Sequence, residues 1–183
     1  IQTESQILKL KYSDIKNNLI FRTNEKGEKK AYIIMPKIEG ISLEKHFFIL
    51  EDFKDSLSTF ISFSKDLKKL HKLKYSHNDV KPENIILERR SGKAFLVDFD
   101  LSCKFKTIFN QARGTPDYMA PELAAPYEVN AKIDVFSLVI SIVEMLGVNI
   151  RTRLGNIGNF SIDEFLAALA NNRLELTGLG EGF

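Results

Sequence analysis

The chain has 183 residues, enough for one sizeable core or for one large and one small lobe. Hydrophobic residues make up 44% and charged residues 27%, which excludes a disordered chain. The 26 Lys and Arg against 24 Asp and Glu give a net charge of +2, no reason to expect nucleic acid or an acidic membrane as partner. One cysteine, Cys103, excludes an internal disulfide framework and fits a reducing, cytoplasmic setting. No apolar run approaches the roughly 18 residues of a membrane-spanning helix. The sequence opens on Ile1 with no signal pattern, and the expectation is that upstream sequence is missing.

In chain order, Thr3 to Lys11 reads as the end of a helix, with Ile7 and Leu8 on one side. Asn18 to Thr23 and Ala31 to Met35 read as an antiparallel hairpin that turns at Gly27. Pro36 ends the second strand, so Pro36 to Gly40 is a connector. From Leu43 to His71 the pattern is helical. Phe53, Leu57, Phe60, Ile61, Leu67 and Leu70 form an apolar stripe, and Lys54, Asp55, Lys65, Asp66, Lys68 and Lys69 lie opposite. Ile85 to Leu87 and Ala94 to Val97 are strands around a turn at Ser91 and Gly92. A loop of about twenty residues follows Asp98 to Asp100, long enough to suggest function, and runs to Gly114 to Glu122. Asp134 to Leu146 reads as a buried helix stopped at Gly147, and Ser161 to Glu164 as the capping box of another.

The densest chemistry is HNDVKPEN, His77 to Asn84. A hydroxyl attacking a phosphoryl group needs a carboxylate to orient it and accept its proton, with cations and a metal to offset charge on the transferred oxygens. Magnesium takes hard oxygen ligands and keeps several waters, so one carboxylate and one amide oxygen suffice. Asp79, Asn84 and Asp98 supply that set from two neighbouring loops. His77 reads as a packing residue below the loop. His46 and His71 read as surface or helix residues without metal spacing.

HNDVKPENIIL, VDFDLS, GTPDYMAPE and IDVFSLVISIVEML, in this order and spacing, resemble the catalytic core of a eukaryotic-type serine/threonine protein kinase. The resemblance covers about residues 3 to 147. It implies an α+β, two-lobed kinase-like fold with an incomplete N-lobe at 1–35, a hinge at 36–40 and a mainly helical C-lobe at 41–183. It implies ATP and Mg2+ as cofactors and a protein substrate, with Asp79 as catalytic base and Lys81 on the transferred phosphate. Asn84 and Asp98 would be the metal ligands. Thr115 would brace Asp79 and Lys81, Glu122 would anchor the peptide-binding segment, and Asp134 would hold the catalytic-loop backbone. On the nucleotide side it implies Glu4 as the partner of a nucleotide-binding lysine, and Met35 as gatekeeper. Adenine would lie against Pro36 and Ile38, with Ser42 on the ribose and Ile86 completing the pocket.

Three departures modify that expectation. The family's Gly-rich loop and strand lysine belong before Glu4 and are absent from these residues. The arginine usual before the catalytic aspartate is Asn78, which removes a cation that would grip a phosphorylated loop, so activity is expected not to require loop phosphorylation. The glycine usual after Asp98 and Phe99 is Asp100, which is expected to restrict the backbone there. The rival readings are a pseudokinase scaffold, which keeps the fold for binding, and a small-molecule phosphotransferase, for which GTPDYMAPE has no use. The Lys, Asn, Ile and Phe-rich composition suits an effector kinase of a pathogen, acting in host cytoplasm.

Overall fold

A computed structural model describes residues 2–11, 19–46, 53–124 and 126–145. Helix α1 (Gln2–Lys11) leads to the hairpin β1 (Leu19–Thr23) and β2 (Lys29–Ile33), a short strand β3 (Gly40–Ser42) and a single turn α2 (Leu43–His46). The long helix α3 (Phe53–Lys72) leads to β4 (Tyr75–Ser76), a 3-10 turn at Pro82–Asn84, and strands β5 (Ile85–Glu88) and β6 (Ala94–Leu96). Then come β7 (Cys103–Lys104), β8 (Ile108–Phe109), 3-10 turns at Pro116–Tyr118 and Pro121–Ala124, β9 (Tyr127–Glu128) and helix α4 (Ala131–Met145). Helices and small sheets are mixed along the chain, as an α+β kinase-like fold requires. The expected helix at Ser161 to Glu164 and the stop at Gly147 lie outside the described residues.

The hairpin pairs Leu19 with Ile33 through Thr23 with Lys29, and Gly27 takes the left-handed φ of 79° that its turn demands. Asn24 closes the turn, its Oδ1 accepting from the amides of Lys26 and Glu28. The first strand is described over Leu19–Thr23, and Asn18 lies outside the described residues. The second ends at Ile33, so Ile34 and Met35 belong to the extended connector.

Helix α3 buries Phe60, Phe63, Leu67 and Leu70 against Ile7 and Leu8 of α1, Leu96 of β6 and Met145 of α4. The expected stripe needs two corrections. Ile61 is 46% exposed and Phe63 takes its place in the core, while Asp66 is buried rather than solvated. The Asp66 carboxylate accepts from the amide of Leu96 at 2.9 Å, so a charged residue caps the β6 ladder from inside. The side chains of Phe53, Lys54, Asp55, Leu57 and His46 lie outside those described.

The sheet that matters for function has the order β3-β5-β6, all antiparallel. Gly40 to Ser42, expected only as the end of a connector, pairs with Glu88 to Ile86. A Cβ at Gly40 would overlap the carbonyl oxygen of Leu87, so only glycine allows this strand to form. A second core joins Ala120, Leu123, Tyr127, Val129 and Ile133 beneath the segment that follows β6. Helix α4 is not buried all round: Val135 and Val139 are exposed, while Ser137 and Ser141 are buried. Ser137 Oγ donates to the carbonyls of Tyr118 and Ile133, which satisfies the hydroxyl and ties the helix to the 116–118 turn.

Candidate active site

The catalytic-loop sequence cannot form regular structure across Pro82, and it crosses between β4 and β5 as a loop held from below. Asp134, fully buried at the start of α4, accepts the amide protons of His77 and Asn78, both at 2.8 Å. Its Oδ2 also accepts from His71 Nε2 at 2.7 Å. His71 is the helix residue expected, in the last turn of α3, and in addition a partner of the loop's anchor. His77 is fully buried, donates from Nε2 to the Val97 carbonyl, and packs on Phe99 with ring centroids 5.2 Å apart. That fits its expected packing role.

On this base stands the carboxylate of Asp79. Its Oδ1 accepts from both the amide of Thr115 at 3.0 Å and the Thr115 hydroxyl at 2.7 Å. Its Oδ2 faces Lys81 Nζ at 3.2 Å and accepts from Asn84 Nδ2 at 3.0 Å. Lys81 in turn donates to Thr115 Oγ1 at 2.8 Å. Four polar side chains expected from sequence thus form one connected network. Burial opposes the charge on Asp79, but the bonds from Thr115 and Lys81 and the Lys81 charge outweigh it and hold the carboxyl below the usual range.

Thr115 can reach across because Gly114 has a φ of 124°, and a Cβ there would stand 2.6 Å from the Asn78 carbonyl oxygen. Pairing of Ile85 with Leu96, extended by the Val97 amide donating to the Asn84 carbonyl at 3.0 Å, sets Asn84 beside Val97 and one residue from Asp98. Asp98 itself takes the left-handed conformation, φ 61°, and its Oδ1 accepts the Asp100 amide. An aspartate tolerates that region by bonding its own chain, and Asp100, where a glycine is usual, has no left-handed φ. Strain of this kind at an acidic residue beside a polar cluster accords with a functional site.

The donor set fits a magnesium ion. Asn84 uses its NH2 group on Asp79, leaving its amide oxygen as a hard ligand, and Asp98 is exposed. The carboxyl of Glu4 is pushed up by burial and by the charges of Asp100 and Asp98, so this corner favours a cation. Among the described residues no three His, Cys, Asp or Glu side chains converge, so water and phosphate oxygens would complete the shell.

A nucleotide is accommodated less completely by this chain's own groups. Among the described residues, Ser42 Oγ and Glu83 Oε2 are buried without a hydrogen-bond partner, in β3 and the turn it packs against, which suits donation from sugar hydroxyls. Ser42 pairs directly with Ile86 across β3 and β5. Met35 is 45% exposed, Pro36 is exposed and Ile38 half-buried, so the connector contributes surface rather than core. Glu122 is exposed.

Known proteins give the same reading. Residues 1–161 match the protein kinase domain model. The chain is 34% identical over 120 residues to a cAMP-dependent protein kinase catalytic subunit of Arthrobotrys oligospora, covering 64% of this chain and 23% of that protein. It is 32% identical to the serine/threonine-protein kinase CLA4 of Candida albicans, covering 78% of this chain and 15% of the relative. It is also 32% identical to an Aurora kinase of Eremothecium gossypii, covering 65% of this chain and 33% of the relative. The chain thus spans a third or less of each relative. With an aspartate braced by a threonine, a lysine and an asparagine, and a family match over most of its length, the chain belongs to the protein kinase domain family.

Proposed function

We propose that the protein transfers the terminal phosphoryl group of ATP, with Mg2+, to a serine or threonine hydroxyl of a protein substrate. The observation that carries this reading is the convergence on Asp79 of Thr115, Lys81 and Asn84. A carboxylate held ionised below the usual range is always ready to accept a hydrogen bond from an incoming hydroxyl. Lys81 has its charge within reach of both Asp79 and the space in front of it, which suits the transferred phosphate. Asn84 and Asp98 are the residues that would hold the metal, which when bound offsets charge on the phosphate oxygens. Ser42, Pro36, Ile38, Met35 and Ile86 are assigned to the nucleotide, and Glu4 to a cationic partner. We place the division between the lobes at 36–40.

The test is radiolabelled phosphate transfer by the full-length protein. Asp79→Ala and Asp98→Asn should each lose at least about 100-fold in rate. Equal rates for wild type and Asp79→Ala would refute the enzyme and leave the scaffold reading. Label on a small molecule with none on protein would point to the small-molecule phosphotransferase.

A further inference from the structure

Asn78 is 4% exposed and adopts a left-handed backbone, φ 63°. Its amide and both polar atoms of its side chain are committed across segment boundaries. The amide donates to Asp134 at the start of α4, and Oδ1 accepts from Ser76 Oγ of β4 at 3.0 Å. Its Nδ2 donates to the Leu101 carbonyl at 2.9 Å and to Cys103 Sγ at 3.1 Å. Its carbonyl oxygen lies 2.6 Å from where Gly114 would carry a Cβ. One residue of the catalytic loop therefore grips the segment three residues after Asp98 and abuts the same segment one residue before Thr115.

The hydroxyls of that segment are already in use. Between Asp98 and Glu122 they are Ser102, Thr107, Thr115 and Tyr118. Ser102 is buried and donates to the His77 carbonyl, Thr107 donates to the Lys104 carbonyl, Thr115 binds Asp79, and buried Tyr118 donates to Glu144. Burial pushes the Cys103 thiol up, so Nδ2 meets a neutral sulfur. The segment's contacts with Asn78 are neutral hydrogen bonds.

We propose that Asn78 is a positioning residue: its side-chain amide clasps the segment after Asp98 and so sets Asp98 and Thr115 against Asp79 without a phosphate group. This deepens the kinase reading and rests on it for the catalytic consequence, but not for the clasp.

Two variants of the full-length protein, produced unphosphorylated, separate the side chain from its backbone. Asn78→Gly keeps the left-handed backbone and removes the clasp, and Asn78→Asp keeps the shape and removes both Nδ2 donors. Hydrogen exchange in both should quicken at least tenfold for the amides of Ser102 to Lys104, with α3 unchanged. The kcat for phosphate transfer should fall tenfold or more, with KM for the protein substrate unchanged. The carboxyl introduced by Asn78→Asp would stand against Ser76 and Cys103, where burial is the largest influence and raises it, aided by the Asp134 charge and opposed by the Ser76 hydroxyl and the Arg113 charge. Lowering the pH should therefore protonate it, return one donor, and raise the activity of Asn78→Asp relative to wild type. Unchanged exchange at 102–104 in both variants would overturn the clasp, as would a kcat in both equal to that of an active wild type. Quickened exchange with a wild type that transfers no phosphate would uphold the clasp and refute the kinase reading.

Discussion

Thr115 does most, ahead of Lys81, to hold the Asp79 carboxyl below its usual range against burial, because its hydroxyl and amide both donate to Oδ1. Thr115→Val keeps the shape and removes the hydroxyl bond. The Asp79 carboxyl should then rise, moving the acid limb of the kcat/KM profile to higher pH, with kcat roughly 10- to 100-fold lower. Stability should move in the same direction. A depressed folded-state carboxyl stabilises above its unfolded pKa, and that contribution is lost as pH falls through the lower, folded value. Acid unfolding of Thr115→Val should accordingly begin at higher pH, and an acid limb identical to wild type would contradict the assignment. Thr107 has the opposite character. Its hydroxyl bonds the Lys104 carbonyl and the Cys103 side chain within its own turn, away from Asp79, so Thr107→Ala should keep activity within about twofold of wild type, a surface-substitution effect. A large loss restored by phosphorylated Thr107 would contradict the expectation drawn from Asn78.

At the scale of elements, what the sequence made legible was local. Gly27 and the Ser91 and Gly92 turn mark their boundaries because their backbone chemistry acts over two or three residues, whereas β2 ends at Ile33, before Pro36. HNDVKPEN was legible because its loop packs its functional groups within eight residues. The exchange of Phe63 for Ile61 and the burial of Asp66 were not, since both depend on β6 lying across α3. The His71 to Asp134 bond joins residues 63 apart, and the only local signal was a histidine in the last turn of α3. That bond makes a prediction. Asp134→Ala would leave the buried amides of His77 and Asn78 without acceptors and free His71, costing roughly 3 kcal/mol or more. His71→Ala, by contrast, removes one of three donors and leaves both amides satisfied, so chemical denaturation should show a much smaller loss. Equal losses would mean that the histidine, and not the loop backbone, is what Asp134 serves.

For the molecule as a whole, the stable core and the cation-binding corner are separable. Phe63, Leu67, Ile85 and Leu96 bury the apolar surface, whereas Asp98 is exposed and its hydrogen bond to the Asp100 amide is local and long, 3.4 Å. Asp98→Asn keeps a residue that tolerates the left-handed backbone, so its melting temperature without ligand should stay close to wild type. Ligand that binds only the folded state raises stability by mass action, about 2.7 kcal/mol at a hundred times Kd. ATP with Mg2+ should therefore raise the melting temperature of the full-length wild type, and Asp98→Asn should lose the part of the shift that depends on Mg2+. Phe63→Ala should do the reverse, lowering stability by about 3–5 kcal/mol while the ligand-induced shift persists at temperatures where it is folded. If Asp98→Asn kept the full Mg2+-dependent shift, the metal would have to be held elsewhere, and the acidic corner of Glu4, Asp98 and Asp100 would need another explanation.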